Sequence, residues 1–414
     1  MATIEPFAAL RPRPDLAARL CELPYDVVSS EEARQQAAGN PLSFFHVSRA
    51  EIDLPSGTDP HAPEVYAKAR ENFERLIAGG ALRQDAQRCF YLYRQIMGAH
   101  AQVGIVGVAS CEDYLRGVIK KHELTRPDKE EDRRRHIETL NAQTGPAFLI
   151  HRADDTLAEF VCARTEREPE VDFTAADGVR HSAWTVADAE GIALVRERFA
   201  QMPALYIADG HHRTAAAAQV FLNRGRVPCP GTPAQPPPAF AFFLAVIFPH
   251  DRVQVLPYHR ALKDLNGLTP AQVFQKLETV FETLPADTPV PSRPHEVGFY
   301  MAGRWRRLRF RPALTQAGAV WDRLDVALLQ QHVLEPVFGI ADPRTSERIE
   351  FVGGIRGTAE LERLVDSGAC ACAFALHPTS VEELMQIADA GRILPPKSTW
   401  FEPKLRDGMF CHLI

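Results

Sequence analysis

The chain has 414 residues, 45% hydrophobic and 24% charged, an ordinary globular composition with length for two or three domains or subdomains. Its net charge is −6 and it has no basic tract, so no nucleic-acid partner is expected. No run approaches the ~18 apolar residues of a membrane span and no apolar signal region follows Met1, so neither a membrane segment nor a signal peptide is expected.

Eight cysteines are scattered without a C-x-x-C pair, which fits buried, reduced thiols in a cytoplasmic protein. In chain order, Ser29 or Ser30 is expected to cap a helix through residue 38, stopped by Gly39-Asn40-Pro41. Residues 43–47 read as a strand, and 64–78 as an amphipathic helix ended by Gly79-Gly80. Residues 90–97 and 102–110 read as an antiparallel hairpin. A strand then runs into Lys120-Lys121-His122-Glu123, followed by a charged helix to Leu140 whose residues 129–135 read as a solvated face. Strands are expected at 146–150 and 179–186, an acidic loop at 166–178, and a helix at 188–199.

Residues 205–208 are short, apolar and partly β-branched, hence a buried strand. Asp209-Gly210 breaks it, and the alanine-rich residues 214–221 read as a helix. His211, His212 and Arg213 therefore sit where a strand hands over to a helix. Free N–H groups and the positive helix end favour an anion there, and Arg213 adds a fork suited to phosphate. The plainer alternative is a turn whose polar residues only cap the helix.

Residues 228–238 hold six prolines and read as a stiff loop. The apolar run 239–248 reads as a buried strand, and His259-Arg260 as a second His-Arg pair near a strand end. Further on, 269–284 reads as a helix, 297–310 as a hairpin turning at Ala302-Gly303, and 324–333 as a helix. Strands at 349–352 and 370–376 alternate with helices at 358–367 and 381–390, the last capped by Thr379-Ser380. The proline-rich tail from Leu394 carries Lys397, Ser398, Thr399 and Lys404. These elements make an α+β fold.

Polar residues thus gather at strand ends: His122-Glu123, Asp209 with His211-His212-Arg213, and His259-Arg260. Cations for phosphate and a carboxylate for acid–base work suit phosphoryl transfer, which needs mainly positioning and charge. No G-x-x-x-x-G-K-[ST], G-x-G-x-x-G or G-x-S-x-G motif occurs, so an ordinary P-loop kinase is excluded. His211, His212 and Asp209 offer metal-ligand chemistry, but adjacent helical histidines diverge by ~100°, so no metal site is expected.

Pro24-Tyr25-Asp26-Val27-Val28, Lys121-His122-Glu123-Leu124-Thr125, Ile207 through Arg213, Asp366-Ser367-Gly368, His377-Pro378-Thr379-Ser380 and Pro395-Pro396-Lys397-Ser398-Thr399 resemble, in order, the domain-of-unknown-function 1015 family. The Asp-Gly-His-His-Arg turn is also similar to the phosphate-binding box of the ParB and sulfiredoxin superfamily, which includes a free-serine kinase. The resemblance implies a mixed sheet with a ParB/sulfiredoxin-like core at 90–262, an N-terminal extension at 1–89 and a C-terminal α/β region at 263–414. It implies ATP or ADP with Mg2+ as cofactors and a small hydroxyl compound, with free serine a candidate, as substrate. Gly210, His211, His212 and Arg213 would cradle phosphate, with Lys397, Ser398 and Thr399 adding contacts. Glu123 would match the kinase's catalytic carboxylate, with Asp209 and His211 beside it. Sulfiredoxin's reactive cysteine is replaced by His211, which argues against sulfinic-acid repair. A nucleotide-binding switch and a metal-dependent hydrolase are the competing readings.

Overall fold

The apolar run at 239–248 becomes the Phe242–Pro249 strand, central in a nine-stranded mixed sheet of the computed structural model, which describes residues 1–225, 237–285, 288–316 and 318–414. The described residues form two compact units, Met1–Val253 with Pro403–Ile414, and Gln254–Glu402. Most of the proline-rich 228–238 segment, with Cys229, lies outside the described residues.

In the first unit the strand order is Ile119–Lys120, Leu205–Asp209, Ala147–His151, Phe242–Pro249, His100–Ser110, Phe90–Met97, Arg180–Val186, Val171–Thr174, with Ile4–Glu5 also paired to His100–Ser110. Two neighbouring pairs are parallel: Leu205–Asp209 with Ile119–Lys120, and Phe242–Pro249 with Ala147–His151. A parallel pair forces the chain to leave the sheet between its strands. The polar segments at 121–126 and 209–213 thereby leave the same edge in the same direction. The expected hairpin is present, with Met97 paired to His100. The core is aliphatic and aromatic, from Phe90 and Leu92 through Leu149, Leu205 and Ile207 to Ala245 and Ile247.

The second unit is built on an antiparallel six-stranded sheet ordered Phe281–Leu284, Arg304–Phe310, Glu296–Met301, Cys372–Leu376, Tyr258–Leu262, Ile349–Gly353. The Gly357–Asp366 helix packs on it through Leu361 and Leu364. Together the units are an α+β fold. Among the described residues, no helix is long and apolar enough to cross a membrane.

Most helix starts follow from their caps. Ser29 and Ser380 each make a reciprocal capping box with the glutamate three residues on, and Asp188 accepts the Gly191 N–H. Several expectations need correction. Residues 43–47 do not form a strand: Phe45–Ser48 is a helical turn that buries Phe44 and Phe45, and so short an apolar run carries no period to tell the two apart. The 269–284 helix stops at Val280, and Phe281–Leu284 is a strand paired with Arg304–Phe310. The acidic stretch 166–178 contains the edge strand Val171–Thr174, and the Asp155–Thr165 helix was not anticipated. His259 and Arg260 lie inside the Tyr258–Leu262 strand, buried, rather than at its end.

Candidate functional site

The Leu205–Asp209 strand is buried through Ala208, and its register against Ala147–His151 shifts between Ile207 and Asp209. Such an irregularity re-aims the strand's last side chain. Gly210 follows at φ +89°, and a Cβ there would meet the Ala147 Cα at 3.1 Å and the Arg213 guanidinium carbon at 3.3 Å. Both the left-handed backbone and the space require glycine. The helix then begins at His211, earlier than expected, and runs to Gly225 with Ala215 through Ala218 buried. Small side chains let its first turns pack closely on the sheet.

Each polar residue of the turn has a defined engagement. Asp209 accepts the Gly210 N–H at 2.8 Å and pairs with the Lys404 ammonium at 3.1 Å. Burial opposes its ionisation, yet Lys404 and Arg213 hold it well below the ordinary carboxylate range. His212 Nε2 accepts the Arg126 N–H at 3.1 Å, and His211 Nε2 the His122 N–H at 3.4 Å. The two histidines therefore tether the 122–126 segment to the helix start. Burial lowers the pKa of both His122, to about 4, and His211, so both are neutral imidazoles at neutral pH.

Arg213 turns inward. Its Nη1 donates to the Pro146 carbonyl, and its Nη2 is 3.9 Å from both Asp26 and Asp209. Burial disfavours its charge, but Asp26, Asp209 and Asp407 more than restore it. A pocket opens beside it, lined in part by Tyr25, Arg133, His136, Gly145 and Asp407. Arg133 stacks over the Tyr25 ring at 3.8 Å and pairs with buried Asp132. Gly145 makes room for Asp407, since a Cβ there would lie 2.4 Å from Asp407 Oδ1. Burial pushes the Asp407 carboxyl up to about 7 despite Arg213 and Arg133.

Glu123 is half-buried, and its carboxylate, His122 and His211 can bring one donor atom each within 4.8 Å of one another. The flanking ammonium groups have their own partners: Lys120 sits over Tyr206 and Lys121 over Tyr114, each at 5.9 Å from the ring centre. The structure thus brings Glu123, Asp209, Gly210, His211, His212 and Arg213 to one region of the first unit. Lys397, Ser398 and Thr399 belong to the second unit. There the Lys397 ammonium lies 5.5 Å from the Tyr258 ring centre, and the Ser398 hydroxyl donates to Pro395 at 2.6 Å.

Sequence reasoning missed several members. Lys404 partners Asp209 although it lies 195 positions away. Arg133 and Asp132 lie in the 129–135 run expected as a solvated face, but both are largely buried. Their signal was present: Asp132, His136, Ile137 and Leu140 share one helical stripe.

A family model described as "Protein of unknown function (DUF1015)" matches residues 4–327. No curated protein matches the sequence. Among solved structures, a free serine kinase mutant in complex with ADP is similar at 13% identity and TM-score 0.35, covering 72% of this chain and 87% of that one. SbnI with C-terminal truncation from Staphylococcus aureus gives 12% and 0.37, covering 73% and 85%. A conserved hypothetical protein from Pyrococcus furiosus gives 13% and 0.35, covering 73% and 93%. At such values nothing about this chain's activity follows from the likeness.

Proposed function

The chain belongs to the DUF1015 family, and we propose that it is a nucleotide-dependent phosphotransferase acting on a small hydroxyl compound, with free serine a candidate acceptor. The observation that carries this reading is the half-buried carboxylate of Glu123 beside His211, at the start of a helix entered through a required glycine. The helix N-terminus offers N–H groups and a positive dipole end to a phosphate. Gly210 lets the chain turn into that helix where a Cβ would crowd Ala147 and Arg213, and Lys404 offsets the charge of Asp209 beside it.

Glu123 is the general base. As its carboxylate takes the acceptor's hydroxyl proton, the hydroxyl oxygen bonds to the terminal phosphorus of ATP or ADP. The bond from that phosphorus to the bridging oxygen breaks, and the electron pair leaves with ADP or AMP. Asp209 is unsuited to the same task because Lys404 and Gly210 hold it as a weakly basic, ion-paired carboxylate. That pairing also makes it a poor magnesium ligand, so Mg2+ would arrive with the nucleotide, held by phosphate oxygens and water, and would neutralise phosphate charge.

The test is a screen of purified protein with ATP, ADP and CTP against a pool of small hydroxyl metabolites, then kinetics of Glu123→Gln. The variant should bind nucleotide as the parent does and turn over about 10²–10⁴-fold more slowly. Parental turnover in the variant would remove Glu123 from the mechanism. Tight nucleotide binding without any phosphorylated product would leave a nucleotide-binding switch instead.

A further inference from the structure

We propose that His122, Glu123 and His211 together bind a divalent transition-metal ion. The three residues are gathered by sheet pairing. Ile119–Lys120 runs parallel to Leu205–Asp209, so His122-Glu123 at the end of one strand meets His211 at the end of the other. One donor atom from each lies within 4.8 Å of the others. Donors around a tetrahedral ion with bonds near 2.1 Å lie roughly 3.4 Å apart, so a small side-chain adjustment closes the set.

An independent observation points to a ligand. His122 is 2% exposed, and among the described residues neither of its ring nitrogens has a hydrogen-bond partner. The Ile207 carbonyl faces the ring and favours its protonated form, but not in hydrogen-bond geometry. A buried imidazole left in that condition calls for an ion or a water as its partner. The His211 ring meets it edge to face, centres 4.5 Å apart. The backbone N–H on His211 Nε2 is long at 3.4 Å, so that lone pair is loosely held.

The neighbours sort themselves out. His212 points to the Arg126 N–H and Asp209 is committed to Lys404, so neither joins the set. Two imidazoles and one carboxylate suit zinc, cobalt or manganese, whereas magnesium prefers an all-oxygen shell. Three protein donors leave an open position for water or a substrate oxygen. The binding claim is independent of the nucleotide reading. One consequence rests on that reading: a carboxylate engaged by the ion cannot also take the acceptor's proton, so loading with zinc should suppress phosphotransfer.

Chelator-stripped full-length protein titrated with Co2+, without nucleotide, should bind one ion and develop the visible bands of a low-coordinate cobalt site. Glu123→Gln, at a half-buried position, and His122→Ala should each weaken binding at least about tenfold. If His122→Ala does not fold, Glu123→Gln decides. No stoichiometric cobalt binding, or binding unchanged in a folded variant, overturns the proposal. Calorimetry of the stripped parent with ATP reads the nucleotide site separately, so failure of one reading is distinct from failure of the other.

Discussion

Two largely buried arginines follow histidines in this chain, Arg213 in the first unit and Arg260 in the second, and the fold treats them differently. His211-His212-Arg213 lie past a strand's end, where the backbone turns through Gly210 and begins a helix. His259-Arg260 lie within a strand hydrogen-bonded on both sides, to Ile349–Gly353 and Cys372–Leu376. Arg213 is surrounded by Asp26, Asp209 and Asp407. Arg260 donates instead to the carbonyls of Tyr258, at 2.7 Å, and Pro396, at 3.2 Å, and lies 4.7 Å from the Phe351 ring centre. Burial disfavours the charge on both. Around Arg213 carboxylates reverse that effect, whereas around Arg260 burial remains dominant. One arginine belongs to an ionic network beside a pocket, and the other braces the Pro396 segment of its own unit. A His-Arg pair is therefore not a site by itself; the surrounding backbone decides.

The sharpest test of that contrast is Arg213→Ala. It removes the cation shared by Asp26, Asp209 and Asp407 and the donor to the Pro146 carbonyl, and should cost about 1–3 kcal/mol in denaturant unfolding, the scale for leaving a buried polar group unsatisfied. Arg213→Lys should recover only part, because one ammonium cannot serve Pro146 and the carboxylates as the guanidinium fork does. An alanine variant as stable as the parent would make the network incidental.

Asp407 gives a pH test. Its folded-state pKa of about 7 lies above the ordinary carboxyl value because of burial, so the folded state holds this proton more tightly than the unfolded state. Its contribution is therefore complete below about pH 4 and lost as pH rises through about 7. In Asp407→Asn that slope disappears. The parent-minus-variant stability should fall by on the order of 3–4 kcal/mol between pH 4 and pH 8. A difference independent of pH would show that Arg213 and Arg133 keep Asp407 ionised throughout.

The smallest effect is expected at Arg260. Arg260→Met replaces a buried cation, held among the described residues by two carbonyls and a ring, with an apolar chain of similar length. Stability should change by less than about 1.5 kcal/mol, since removing a buried charge that has no carboxylate partner among the described residues offsets the lost hydrogen bonds. A loss comparable to that of Arg213→Ala would abolish the distinction between the two arginines.

Much of the fold was legible because its signals are local. Capping residues narrowed one helix start to Ser29 or Ser30 and another to Thr379-Ser380, of which Ser29 and Ser380 are the caps, and period-two or wholly apolar runs placed the strands on either side of the Met97 turn. Errors fell where a short apolar run has no period, as at Phe44 and Phe45, or where a helix passes straight into a strand, as at Phe281. The Asp209-Gly210-His211 turn was readable because only glycine tolerates that backbone and crowding.

The sequence by itself therefore determined the strand–turn–helix and the placing of His122 and Glu123 just past the end of their own strand. Only the tertiary structure decided who meets whom. Parallel pairing of two strands set His122 and Glu123 against His211, and the return of residues 403–414 to the first unit delivered Lys404 to Asp209 and Asp407 to Arg213. The physical reason is range. Backbone conformation is governed by a few neighbouring residues, whereas a charge or a lone pair is satisfied by whichever groups the packed sheet brings within a few ångströms, however far apart they lie along the chain.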